Sequence, residues 1–171
     1  MAEKLPTVAR DTIRMAAKRS AGILLFRRRS GDVEVLLGHM GGPFWARRDA
    51  AAWSLPKGEY EPDEEPVAAA RREFTEELGL PVPAGEWVGL GAARQSGGKV
   101  VTVWALEGDL DPARIVPGTF ELEWPPKSGR RQEFPEIDRV AWFGLPIAAE
   151  KIVAGQRPFL ERLADRFNSG P

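Results

Sequence analysis

One segment of this chain admits few folds, the stretch from Gly58 to Leu80. Residues 64–78 follow Pro62, have Asp63 in place to cap them and stop at Gly79, so the spacing predicts a helix. At about 100° per residue, Glu73, Glu76 and Glu77 share roughly 100° of arc, and Val67, Phe74 and Leu78 share another. One face is therefore built to pack and its neighbour to carry three carboxylates. Three like charges this close raise one another's pKa and destabilise an isolated helix. Arg72 is one local counter-charge, and one guanidinium does not balance three carboxylates. A divalent cation would. With oxygen donors and neither His nor Cys, the fitting cations are hard ones, Mg²⁺ or Mn²⁺, which also take phosphate oxygens as ligands. A solvated acidic face closed by salt bridges is the plainer alternative for this helix taken alone.

The rest of the chain is ordinary globular material. The whole chain, 171 residues, suits one domain, and 43% of it is apolar. There is no cysteine, which excludes disulfides, thiolate zinc sites and cysteine nucleophiles. No apolar run is long enough to span a bilayer, and the N-terminus lacks the apolar core of a secretory signal. The expectation is a cytoplasmic protein, monomer or homodimer, with a flexible tail over residues 1–18 and a single domain over 19–171. The net charge of -1 argues against a surface that tracks duplex nucleic acid. The charge is unevenly spread, however. Residues 58–80 hold eight acids and two bases, a local sum of -6, which leaves +5 on the remainder. An acidic helix in a mildly basic body suits a metal–polyphosphate partner.

Residues 20–26 form a short apolar run, fit for a strand buried on both faces. Ser30-Gly31-Asp32 reads as a turn into a second arm, Val33 to His39. Residues 40–52 form a Gly/Pro/Ala loop, and Trp53 to Pro56 is a further apolar fragment. Gly85 to Gln95 and Lys99 to Glu107 read as a strand pair around Ser96-Gly97-Gly98. Residues 108–135 read as a long loop with one short strand near Phe120, and Ile137 to Phe143 as a last strand. Helices are expected over 146–153 and 158–167, the second with a core stripe of Phe159, Leu160, Leu163 and Phe167.

The segment also has a specific pattern. Gly58 is followed after five residues by Glu64 and after seven more by Arg72-Glu73-Phe74-Thr75-Glu76-Glu77-Leu78-Gly79-Leu80. This resembles the Nudix box at every fixed position. The resemblance implies an α/β fold, the Nudix-type α/β/α sandwich around a mixed β-sheet, over about residues 19 to 167. It implies a hydrolase that cuts the pyrophosphate link of a nucleoside diphosphate joined to another moiety. By the same resemblance Glu73, Glu76 and Glu77, with the carbonyl of Gly58, would hold Mg²⁺ or Mn²⁺. One of these glutamates, or a later one, would take the proton of the attacking water. Arg72 would orient the glutamates, Glu64 would be structural, and Gly79 would end the helix.

The family often adds a carboxylate before the last strand, here Glu136 with Glu133 as runner-up. Lys57 is placed to meet a phosphate, and Phe44 and Trp45 to stack on a base, with Trp124 a further aromatic candidate. Among basic residues Arg94 is the candidate for substrate contact, from a set with Arg27, Arg28, Arg47, Arg48, Arg130 and Arg131. His39 is expected to be a hydrogen-bonded structural histidine. Markers of several subgroups are missing. Where ADP-ribose hydrolases tend to carry a proline, Gln95 to Gly98 stands here, and the only tyrosine is Tyr60, inside the box. Trp53-Ser-Leu-Pro-Lys-Gly58 is similar to the lead-in of diadenosine polyphosphate and diphosphoinositol branches. The substrates favoured are a nucleoside triphosphate or a dinucleoside polyphosphate. The alternative from another class is a catalytically silent, nucleotide-sensing or protein-binding module. An isomerase of the same fold is opposed by the absence of cysteine.

Overall fold

The order of strands follows from one strand that is apolar on both sides. In a computed structural model, which describes residues 18–169, β1 (Arg19–Arg29) is the centre of a seven-stranded mixed sheet. Its side chains alternate between two cores. Ala21, Ile23 and Leu25 point into one, Leu24 and Phe26 into the other. β1 turns into β2 (Asp32–Met40) through Ser30 and Gly31, both at positive φ (53° and 83°), the two-residue turn that matches strand twist. β2 then pairs antiparallel with β9 (Ile137–Gly144), and β1 pairs parallel with β6 (Val100–Glu107), itself antiparallel to β5 (Trp87–Arg94).

β1 and β2 part toward one end, and two short strands fill the gap. β3 (Trp53–Ser54) bonds to β2, and β4 (Lys57–Glu59) bonds to β1. The segment with Lys57 and Gly58 is thus wedged into the split in the sheet. Helix α1 (Pro66–Leu78) covers one face through Ala69, Ala70, Phe74 and Leu78. α2 (Leu145–Lys151) and α3 (Arg157–Asn168) cover the other through Ala148, Phe159, Leu160 and Leu163. The three-layer sandwich expected from the resemblance is the fold observed. No helix among the described residues is long and apolar enough to cross a membrane.

Three expectations need correction. Asp63 does not cap α1. The N-cap is Glu65, with no side-chain cap bond, because Pro66 occupies the first helical position and holds the residue before it extended. Val67 does not pack; it is 42% exposed, and burial on α1 begins at Ala69. Residues 108–135 hold two paired strands rather than one. β7 (Thr119–Glu123) and β8 (Arg131–Pro135) form a separate hairpin whose Phe120 and Phe134 rings lie 6.1 Å apart. β7 alternates polar and apolar residues and is the short strand expected near Phe120, whereas β8, Arg-Gln-Glu-Phe-Pro, has no period-two pattern to mark it. The tail expected over residues 1–18 lies outside the described residues except for Lys18.

Gly79 ends α1 at φ 67° and donates its N–H to Thr75 at 2.8 Å. Free carbonyls of the last helical turn anchor the next connection. Val116 N–H bonds to the Leu78 carbonyl (2.8 Å) and Gly118 N–H to the Glu76 carbonyl (3.1 Å). The hairpin therefore grows out of the end of the acidic helix.

Candidate metal and phosphate site

The acidic helix meets the sheet at Gly58. β4 passes so close to α1 that a Cβ on Gly58 would overlap the Glu73 carboxylate. Glu73 is 14% exposed, and burial pushes its pKa up against the pull of Arg72. One turn on, Glu77 accepts the Lys57 backbone N–H at 3.3 Å. Burial, opposed by the Lys57 ammonium and reinforced by the charges of Glu136 and Glu73, pushes the Glu77 carboxyl up to about 8. Two carboxylates therefore sit partly desolvated against a backbone strand, with a third nearby.

That third is Glu136, at the start of β9. Its N–H bonds to the Gly118 carbonyl (2.8 Å), and its own carbonyl accepts from Gly41 (2.9 Å). A Cβ on Gly118 would stand 3.6 Å from Glu136 Oε2 and 2.8 Å from the Glu76 carbonyl, so Glu136 faces the end of α1. Glu133 stands on β8 opposite Glu121, on the hairpin. Of the two loop carboxylates, Glu136 is the one brought to the helix.

Arg72 organises the other side of the cluster. Its Nε and Nη2 grip both oxygens of Glu64 at 2.9 Å each, a two-pronged bond that fixes the guanidinium plane. Nη1 then donates to Glu73 (2.8 Å) and more loosely to Glu76 (3.3 Å), and Nη2 to the Glu59 carbonyl (3.3 Å). Glu64 holds the arginine and the arginine holds the glutamates. A lysine has one head and cannot do both. Arg72→Lys is expected to lower turnover about 10- to 100-fold, read by steady-state kinetics at saturating Mg²⁺.

Among the described residues no three carboxylate or imidazole side chains converge into a ready-made cation cage. The donor set nevertheless fits a hard divalent cation. It offers oxygens only, two of its carboxylates are partly desolvated, and the cations beside it are Arg72, already engaged, and Lys57. The missing Cβ at Gly58 leaves its main chain open to Glu73. Gly58→Ala should lower kcat/KM by about 10²-fold, since displacing a ligand by around 1 Å costs that much.

The remaining candidates are scattered. Phe44 is 60% exposed and meets Trp124 of the hairpin edge to face, ring centroids 5.3 Å apart. Trp45 packs partly against the core, with Arg48 stacked over it at 5.5 Å. Arg94 ends β5, three strand spacings from β4 or roughly 14 Å, and is not brought to the carboxylates. Arg27 is engaged by Glu34 and Asp109, Arg28 by Glu107, and Arg131 by Glu121. His39 is fully buried, as expected of a structural histidine. Nδ1 lies 3.0 Å from Asp138 and Nε2 lies 2.6 Å from the Arg48 carbonyl, which ties β9 to the 41–52 loop.

Known proteins share this fold. The family model of the NUDIX domain matches residues 16–163. The chain therefore belongs to the Nudix family. With every fixed box position in place, it falls in the class of Nudix pyrophosphohydrolases. A C. elegans Ap4A hydrolase in a binary complex is similar at 20% identity and TM-score 0.63, covering 88% of this chain and 99% of that one. The NUDIX domain of Shewanella oneidensis NrtR, complexed with ADP ribose, is similar at 19% identity and TM-score 0.57, with 89% of each chain covered. The MutT protein of Methanosarcina mazei Go1 is similar at 24% identity and TM-score 0.54, covering 90% and 96%. At these identities the likeness establishes the fold. No curated protein matches the sequence.

Proposed function

We propose that this protein is a cytoplasmic, Mg²⁺- or Mn²⁺-dependent hydrolase of nucleoside diphosphates linked to a second moiety, with a nucleoside triphosphate or dinucleoside polyphosphate as substrate. The observation that carries this reading is that Glu77 and Glu73 meet the main chain at Lys57 and Gly58, with Glu136 turned to the same end of the helix. Partly desolvated carboxylates that repel one another are poor as salt-bridge decoration and good as ligands for a hard cation.

In this reading Gly58, Glu73, Glu76, Glu77 and Glu136 supply the oxygen ligands. A divalent cation held by these residues would supply charge neutralisation for the phosphates and a lower pKa for the attacking water. Glu73, Glu76 and Glu136 are the groups placed to take that water's proton. Arg72 keeps Glu73 and Glu76 from swinging away. Lys57 meets a phosphate oxygen with its ammonium, and Phe44, with Trp45 and Arg94 at greater remove, contacts the rest of the substrate. Residues 19–171 act as one domain.

The test is a panel of nucleoside triphosphates, oxidised nucleotides, Ap4A, ADP-ribose, NADH and diphosphoinositols, each with Mg²⁺ and with Mn²⁺. Turnover of a triphosphate or of Ap4A above the others supports the proposal. A panel with no turnover but tight nucleotide binding overturns it in favour of the silent sensing module.

A further inference from the structure

The segment that delivers Lys57 and Gly58 crosses the split between β1 and β2. β3 bonds to β2 as far as Ser54, and β4 bonds to β1 from Lys57 onward. Leu55 and Pro56 lie between, buried, in neither ladder. Pro56 has no N–H, and its carbonyl accepts from Ile23 at 3.1 Å. The Leu55 N–H has no strand to bond. It donates instead to Gln156 Oε1 at 3.0 Å. The other end of the same carboxamide, Nε2, donates to Ser54 Oγ at 2.9 Å, and Ser54 Oγ donates to the Leu55 carbonyl at 2.7 Å.

Gln156 closes the one-turn helix Ala154–Gln156 just before α3 and is 1% exposed. A carboxamide buried that deeply is costly unless bonded, and here it bonds the crossover twice. From the sheet side Gly22 lets the crossover approach. A Cβ there would stand 2.6 Å from Leu55 Cδ1, 2.7 Å from the Pro56 carbonyl oxygen and 2.8 Å from Lys57 Cβ. The crossover is thus held between Gly22 and Gln156. Its next residue donates to Glu77, and the one after lies against Glu73.

We propose that Gln156 is a positioning residue of the active site. It acts through Leu55 to set the height at which Lys57 and the Gly58 carbonyl meet Glu73 and Glu77. The proposal rests on the reading of those residues as cation ligands. Gln156 touches neither cation nor substrate. It stands outside the box and about 100 residues along the chain from the segment it holds, and nothing in the sequence pattern marks it.

The test compares wild type with Gln156→Leu, Gln156→Glu and Ser54→Ala. Amide exchange is measured at Lys57 in the metal-free protein, Mg²⁺ binding by calorimetry, and kcat and KM at saturating Mg²⁺. In Gln156→Leu, exchange at Lys57 should quicken about 10-fold, Mg²⁺ binding should weaken and kcat should fall about 10-fold each, with KM for the nucleotide within about 2-fold. Gln156→Glu keeps an acceptor for Leu55 and should fall between. Ser54→Ala should shift the same readouts in the same direction, and it decides the matter if Gln156→Leu does not fold. A lowered melting temperature with unchanged exchange at Lys57, Mg²⁺ affinity and kcat overturns the proposal. If wild type binds no Mg²⁺ at all, the cation reading fails, and exchange at Lys57 alone decides the role of Gln156.

Discussion

Replacing Glu77 by Gln should lower kcat/KM by about 10² to 10⁴, roughly 3 to 5.5 kcal/mol of transition-state stabilisation, while making the metal-free protein more stable at pH 8.5. The two effects have one cause. Gln keeps the size of the side chain and an oxygen to accept the Lys57 N–H, so the fold is retained. It removes a negative charge that is desolvated and pressed against Glu73 and Glu136. That charge opposes folding when no cation is bound and holds the cation when one is. Removing it should raise the melting temperature of the metal-free protein by several degrees, at about 2–4 °C per kcal/mol for a chain of this length. Turnover at saturating Mg²⁺ and thermal unfolding in chelator are the two measurements. Wild-type turnover in the variant would falsify the assignment of the site.

The second large effect is a dependence of metal stabilisation on pH. The folded protein holds the Glu77 proton up to about pH 8, whereas the unfolded chain releases it near 4.5. Between these values the native state binds more protons than the unfolded state, so stability falls as pH rises. The stabilising share is complete below about pH 4.5 and gone above about 8. Glu73 is shifted in the same direction, chiefly by burial. The carboxylates held low, Glu64 by Arg72, Glu59 by Lys99, Asp109 by Arg27 and Asp49 by Lys151, act oppositely and have released their protons below this window. The metal-free melting temperature should therefore drop from pH 6 to pH 8.5. Mg²⁺ must displace the Glu77 proton to bind, so its stabilising increment should grow over the same range. Glu77→Gln should flatten both trends. An increment equal at pH 6 and pH 8.5 would count against Glu77 as a ligand.

Much of this site was legible in the linear order of residues, because a helix turns local spacing into geometry. Glu73, Glu76 and Glu77 must share a side of any helix that contains them, and Gly79 must end it. The strands were legible where burial was complete or alternation clean, as in β1 and β2. Of the β7–β8 hairpin only β7, near Phe120, was legible, since β8 has three exposed polar residues in a row and no alternation. Asp63 has the residue type of a cap, but Pro66 takes the first helical position and puts the cap position at Glu65. Val67 shares the apolar phase of α1 and is nevertheless exposed, because helical phase says which residues share a side and not how far the core extends beneath them.

The sequence by itself determined the chemistry on offer, namely three carboxylates on one helix turn with a guanidinium beside them and no thiol anywhere. Those properties are local, set by residue type and helical repeat. Only the tertiary structure decided that Glu136 rather than Glu133 joins them, that Arg72 is held by Glu64, and that a Cβ on Gly58 would displace the Glu73 carboxylate. It also decided that a buried glutamine from the far end of the chain steadies the strand beneath them. Such pairings join residues far apart in sequence. They are set by where β1 and β2 part, and no local spacing encodes that.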